Sequence, residues 1–113
     1  MHEYSIVQAL LDTVDAQARA HGAVAVHRVR LAIGRLAGVD SELLRSAFEL
    51  VRRGTSCATA ELDVRAVEAH WVCRGCGIEI RAGGVLRCRT CGGPAHLEAG
   101  DEIVLESLEL EVT

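Results

Sequence analysis

The chain has no lysine: all twelve of its basic Lys/Arg positions are arginine, including positions that need only a positive charge, which we read as genome composition bias. Aromatic residues are nearly missing, with one each of Tyr4, Phe48 and Trp71, so any core must be aliphatic. No apolar run approaches the roughly 18 residues of a membrane span. The N-terminus lacks the basic region and apolar stretch of a signal peptide, so a cytoplasmic protein without a membrane partner is expected. The formal net charge of −4 leaves no basic footprint of the kind a general nucleic-acid binder needs. Nothing resembles a disordered tail. What is present is a 113-residue chain, half of it hydrophobic, enough for one compact domain or one domain carrying a small module.

Along the chain, Ile6, Val7, Leu10, Leu11, Val14 and Ala18 recur at three- and four-residue steps. They predict an amphipathic helix from about His2 to Ala20 that stops at Gly22. Over residues 24–33 the period changes to two. Val29, Leu31 and Ile33 face one way and Arg28 and Arg30 the other, as in a half-buried strand. Asp40 or Ser41 can cap a second helix carrying Leu43, Leu44, Ala47, Phe48 and Val51, with Arg52 and Arg53 near its C-terminal end. A second strand is expected at 61–67, with Leu62, Val64 and Ala66 on one face. A third is expected at 102–112, where one unbroken alternation cannot bury every apolar residue, so a bulge near Ser107 is expected. The fold class that follows is α+β, with two helices packed on a three-stranded sheet. Residues 70–97 fit neither period and form an inserted module. The remaining domain is then 1–69 plus 98–113.

That module holds four of the five cysteines, the only proline and a concentration of glycines. Cys73-Arg74-Gly75-Cys76-Gly77 and Cys88-Arg89-Thr90-Cys91-Gly92 are two copies of C-x-x-C-G. In a cytosolic chain such pairs point to metal or redox chemistry before disulfides. Two thiolates on each tight turn, facing two on the other, supply the tetrahedral sulfurs of a zinc-ribbon-like site, and Cys73, Cys76, Cys88 and Cys91 are the expected Zn²⁺ ligands. A segment this small cannot bury enough surface to fold alone, and bound metal would supply the missing stability. Iron in a rubredoxin-like site would use the same sulfurs. A dithiol redox role fits duplicated pairs less well than a single tetrahedron does. A closed four-cysteine site has no open position for catalysis, so an enzyme is not expected.

Cys57 falls outside the pattern and reads as a buried or half-buried thiol, with a fifth metal ligand or a reactive thiol as the alternative. His21 ends the first helix and His27 lies in the first strand, while His70 and His96 flank the module as hinge, surface or occasional ligand residues. His2 is different. The α-amine of Met1, the intervening amide nitrogen and the His2 imidazole can close fused chelate rings on one ion. Histidine is also a bulky second residue, so the initiator methionine is expected to be retained.

Met1-His2-Glu3-Tyr4-Ser5 at the start, Val29 to Gly34 matching V-x-[LA]-x-I-G, and the paired C-x-x-C-G knuckles late in a short chain together resemble the HypA/HybF family of hydrogenase nickel metallochaperones. The resemblance covers essentially the whole chain. Tyr4 stands where methionine or leucine is common in that family. The resemblance implies a transient Ni²⁺ cargo carried by His2, with the Met1 amine and the Glu3 region contributing, and a structural Zn²⁺ on the four cysteines. It also implies delivery of nickel to the [NiFe]-hydrogenase large subunit together with an accessory GTPase, and in some relatives a role with urease maturation factors. The alternative is a zinc-ribbon interaction module that binds a protein or RNA and has no nickel role. Arg74, Arg81, Arg87 and Arg89 against Glu79 give the module a mild basic bias, but Trp71 is its only aromatic for base stacking.

Overall fold

The computed structural model describes residues 2–81 and 85–113. The elements are α1 (His2–Ala20), β1 (Ala23–Gly34), α2 (Ser41–Val51), β2 (Glu61–Val67), β3 (His70–Cys73), β4 (Glu79–Ile80), β5 (Ala95–Ala99) and β6 (Ile103–Val112). They form two three-stranded sheets, ordered β2-β1-β6 and β4-β3-β5. Two compact units result. One comprises Met1–Ala32, Val39–Arg65 and Val104–Thr113; the other comprises Ile33–Gly38 and Ala66–Ile103.

In the first unit, α1 buries Val7, Leu11, Val14 and Ala18, a stripe set by its 3.6-residue period. The helix ends at Ala20, and Gly22 just beyond it has a φ of 64°, which suits the residue that closes a helix C-terminus. α2 packs against α1. It is capped by Asp40, whose side chain accepts from the Glu42 and Leu43 N–H groups at 2.9 and 3.1 Å. Leu44, Ala47 and Phe48 are buried, while Leu43 is 48% exposed because it falls at the rim of the apolar stripe. At the other end Arg52 lies over the Phe48 ring and donates to the Ala60 carbonyl at 2.6 Å.

The strand directions follow from their partners. Arg28 pairs with Glu61 and Asp63, and further along the Arg35 N–H donates to the Val67 carbonyl. Positions rise together on both strands, so β2 runs parallel to β1 and α2 serves as the crossover that parallel strands require. Toward β6 they fall: His27 pairs with Glu111, and Arg30 with Glu109. That pair of strands is antiparallel. One face of this sheet is a ladder of cross-strand charges, with Arg65 on Glu106 at 2.6 Å and Arg28 on Asp63 at 2.7 Å. Exposed ion pairs contribute only about 0–1 kcal/mol each, so their main effect is to fix register. Val29 and Leu31 are buried as their period requires. The alternation slips in β6, where Ser107 and Leu108 are both half-buried, and Ala66 in β2 is exposed where the pattern placed it inward.

In the second unit the chain is gripped where it enters and leaves the cysteine segment. The Gly34 N–H donates to Glu102, Arg35 to Val67 and Leu36 to Gly100, at 2.8, 2.9 and 2.8 Å. The Arg35 side chain pairs with the Glu68 carboxylate. Three backbones meet here without side chains between them. A Cβ on Gly34 would overlap the Gly100 carbonyl, and one on Gly100, whose φ is +108°, would come within 2.6 Å of the Ala69 Cα.

Phe48 is 1% exposed and Leu43 48% exposed on the same helix. Phe48→Ala should destabilise the chain by about 3–5 kcal/mol, whereas Leu43→Ala should change stability by less than about 1 kcal/mol. Urea unfolding followed by far-UV circular dichroism measures both.

Candidate metal centre

Two knuckles of the same construction carry the cysteines. In the first, which joins β3 to β4, the Gly77 N–H donates to the Cys73 carbonyl at 2.8 Å and the Cys73 N–H to Ile78 at 2.9 Å. In the second, Gly92 donates to Cys88 and Cys88 to Gly93, both at 2.9 Å. Each turn closes through a glycine of positive φ, Gly77 at 74° and Gly92 at 71°, a conformation that costs any residue with a Cβ. β3 pairs with β4 through Trp71 and Ile80 and with β5 through Cys73 and Ala95. An isolated bridge from Arg87 to Pro94 holds the second knuckle closed.

The four sulfurs of Cys73, Cys76, Cys88 and Cys91 all lie within 4.8 Å of one another. Cys73 and Cys91 are 3.3 Å apart, and Cys76 and Cys88 3.5 Å apart. A tetrahedron with Zn–S bonds of about 2.3 Å has edges of about 3.8 Å, so the donor set fits zinc. These spacings are far longer than a disulfide bond of about 2.05 Å. Cys73 and Cys88 are buried; Cys76 and Cys91 are exposed.

Backbone N–H groups are aimed at the sulfurs. Those of Cys76 and Gly75 reach Cys73, and those of Cys91 and Thr90 reach Cys88. The Cys76 N–H holds the Cys73 thiol below its ordinary range, and the Cys91 N–H chiefly brings Cys88 down to about 6. At Cys76 the Ile78 N–H pulls downward, but the sulfurs of Cys88 and Cys73, together with burial, lift it to about 12. Cys91 likewise rises, the Gly93 N–H being outweighed by Cys73 and Cys88. Four thiols this close cannot all ionise unaided, and a divalent cation resolves the conflict. The packing agrees: the hydrophobic cluster here consists of Cys73, Ile80 and Cys88, with Trp71 and Ala95 against it. Such a core is too small to stand by itself.

The first residues present a different chemistry. His2 is exposed and opens α1, so its N–H is one of those that a helix leaves without an internal carbonyl. Glu3 is half-buried, and its carboxylate accepts the Asp40 N–H at 3.1 Å. That bond, foremost, holds the Glu3 carboxyl below the usual carboxylate range. A lowered folded value means that this tie between the two helix starts is fully present above the ordinary carboxylate range and is lost as pH falls below that range through the folded value. Met1 lies outside the described residues.

The other candidates separate from the sulfur group. Cys57 is fully buried, and burial pushes its thiol up to about 11, as befits an inert core residue. His96 accepts from Arg74 through Nδ1 at 2.9 Å, and His70 stands 3.9 Å from Glu98. Neither belongs to the four-ligand group found among the described residues. The Glu3–Asp40 contact had no local signal in the sequence, since its partners are 37 residues apart.

Residues 1–110 match the family described as "Hydrogenase/urease nickel incorporation, metallochaperone, hypA". The chain belongs to the HypA family. It is 41% identical to "Hydrogenase maturation factor HypA" of Chlorobium limicola, over 98% of this chain and 97% of that one. It is 40% identical to the protein of the same description from Wolinella succinogenes, over 98% and 96%. Among solved structures it is similar to "Solution structure of the Ni metallochaperone HypA from Helicobacter pylori", with a TM-score of 0.77, 29% identity and 98% of both chains covered. Members of this family are metallochaperones, and a four-cysteine cluster that suits zinc accompanies that role in this chain.

Removing metal from the cysteine cluster with a chelator should shift Trp71 emission to longer wavelength while the helical circular dichroism persists, and added Zn²⁺ should restore it. The expected magnitude is large, since zinc contributes about 10–16 kcal/mol in zinc-finger peptides. Unchanged Trp71 emission on metal removal would show that the cluster does not depend on metal.

Proposed function

We propose that this chain is a nickel carrier that binds Ni²⁺ at its first residues and delivers it to the [NiFe]-hydrogenase large subunit in the cytoplasm, working with an accessory GTPase. The observation that carries the reading is the family match over residues 1–110, in a chain whose second residue, His2, is exposed. The Met1 amine, the His2 amide nitrogen and the His2 imidazole form the nickel set, in a planar field that suits Ni²⁺. An open terminus can be approached by a recipient and can surrender its ion; the chain carries the metal and catalyses nothing. Cys73, Cys76, Cys88 and Cys91 hold a resident Zn²⁺, whose chemistry is structural. The functional division is then a nickel-binding domain of residues 1–69 plus 98–113 and a zinc module of residues 70–97. The relatives carry the description of hydrogenase maturation factors, which favours hydrogenase over urease as the recipient.

His2→Ala should weaken nickel binding by about a hundredfold or more, with zinc content and circular dichroism unchanged because the side chain is exposed. Isothermal titration of the untagged protein measures it, and an unaltered affinity would sink the assignment. A short N-terminal extension should also perturb nickel binding; equal affinity with and without it counts against amine ligation. Binding should weaken as pH falls, since protons compete for the nitrogen donors.

Because the Glu3 carboxylate is engaged with Asp40, Glu3→Gln should keep nickel affinity within about threefold, Gln retaining an oxygen that can accept the same N–H. A loss as large as that of His2→Ala would make the carboxylate a ligand.

A further inference from the structure

Seven of the arginines are matched within the structure. Arg28, Arg30, Arg35, Arg52 and Arg65 face carboxylates, Arg45 donates to the Leu62 carbonyl and Arg74 to His96. Five are not: among the described residues no carboxylate pairs with the side chains of Arg19, Arg53, Arg81, Arg87 and Arg89, and the last three lie together in the cysteine segment. These three line a groove of about 540 Å³ beside the second knuckle, with Glu79 as the one acidic residue in the lining. The groove also has an apolar floor and lip. Ile80 is buried beneath it, while Ile78 and Val85 are 45% and 79% exposed. These two side chains add apolar contact area beside the arginines of the same groove. Arg81, Arg87 and Arg89 are exposed while the Cys88 sulfur in the same lining is buried, so the accessible rim of the groove sets three guanidinium groups against one carboxylate, on a chain of net charge −4.

Charge complementarity names the occupant. We propose that this groove docks an acidic segment of a partner protein, whose carboxylates meet Arg81, Arg87 and Arg89 and whose aliphatic side chains cover Ile78 and Val85. Guanidinium groups suit planar carboxylates because their fork can bind both oxygens. Nucleic acid fits less well. Stacking requires a free aromatic face, and Trp71 is packed against Cys73, Ile80 and Cys88. The proposal is independent of nickel and rests on the cysteine cluster only in that the module must be folded. A small charged groove implies a transient contact, fast to form and weakened by salt.

The test uses the full zinc-loaded chain and fluorescence anisotropy. The probe is a labelled peptide of about twelve residues that alternates glutamate with leucine, beside a lysine/leucine peptide, a glutamate/serine peptide and an oligouridylate of similar length. The glutamate/leucine peptide should bind at least about tenfold more tightly than the other three and weaken as salt is raised. The double variant Arg81→Ser/Arg87→Ser should lose about tenfold, and Val85→Ser, which alters a nearly fully exposed side chain, at least about threefold. Zinc content and Trp71 emission are read in every sample, which separates a lost groove from a lost module. Equal peptide binding by the wild type and these variants overturns the proposal. So does absence of peptide binding, or tighter binding of the oligouridylate than of the glutamate/leucine peptide.

Discussion

Four sulfurs within 4.8 Å of one another set the terms for everything between β3 and β5. As thiolates they repel; as thiols they would offer only weak hydrogen bonds over a cluster of three buried residues. The backbone prepares for charge instead. Both knuckles direct N–H groups at the first cysteine of the pair, and both close through a glycine with positive φ. Those N–H groups stabilise sulfur in its anionic form, and a divalent cation completes the balance. The hydrogen-bonding pattern, repeated residue for residue in the two knuckles, is therefore best understood as a preformed sulfur cage rather than as a pair of turns that happen to meet.

A cage of this kind needs fixed ends, and Gly34–Leu36 supply them. Successive N–H groups of that loop take carbonyls from the segments that lead into and out of the cysteine region, Val67 on one side and Gly100 and Glu102 on the other. The approach is close enough that side chains are excluded at Gly34 and Gly100. Glycine here serves proximity at Gly34 and both proximity and backbone conformation at Gly100. Gly34 is the last residue of β1, and Arg35 and Leu36 follow it directly.

Local periodicity made the larger elements legible. The α1 stripe of Val7, Leu11, Val14 and Ala18 is buried as its spacing requires, and of the two possible caps for α2 the structure uses Asp40. The cysteine spacing showed which sulfurs would converge. The sheet β4-β3-β5 was not legible, because strands of two to five residues are too short to display alternation and owe their pairing to the knuckles. Leu43 has the right period yet lies exposed, since period identifies a face but not its width. The Glu3–Asp40 bond and the parallel pairing of β1 and β2 depend on residues far apart in sequence, where no local pattern speaks.

The two metal sites proposed for this chain differ in the property that a carrier must separate. A tetrahedral set of soft thiolates suits zinc, which has no geometric preference of its own, and encloses it on all sides. A planar set of amine, amide and imidazole nitrogens instead rewards the geometry that Ni²⁺ favours and leaves the ion accessible from above and below. On the proposed reading, donor chemistry sorts the metals and enclosure sorts their lifetimes. His2 is suited to the second role for the reason that makes it of little use to the core: it is exposed, and its backbone N–H has no carbonyl to satisfy within α1. Glu3, one residue further on, already has its carboxylate in the fold. On the proposed reading, the boundary between what binds cargo and what builds the protein therefore falls between the side chains of residues two and three.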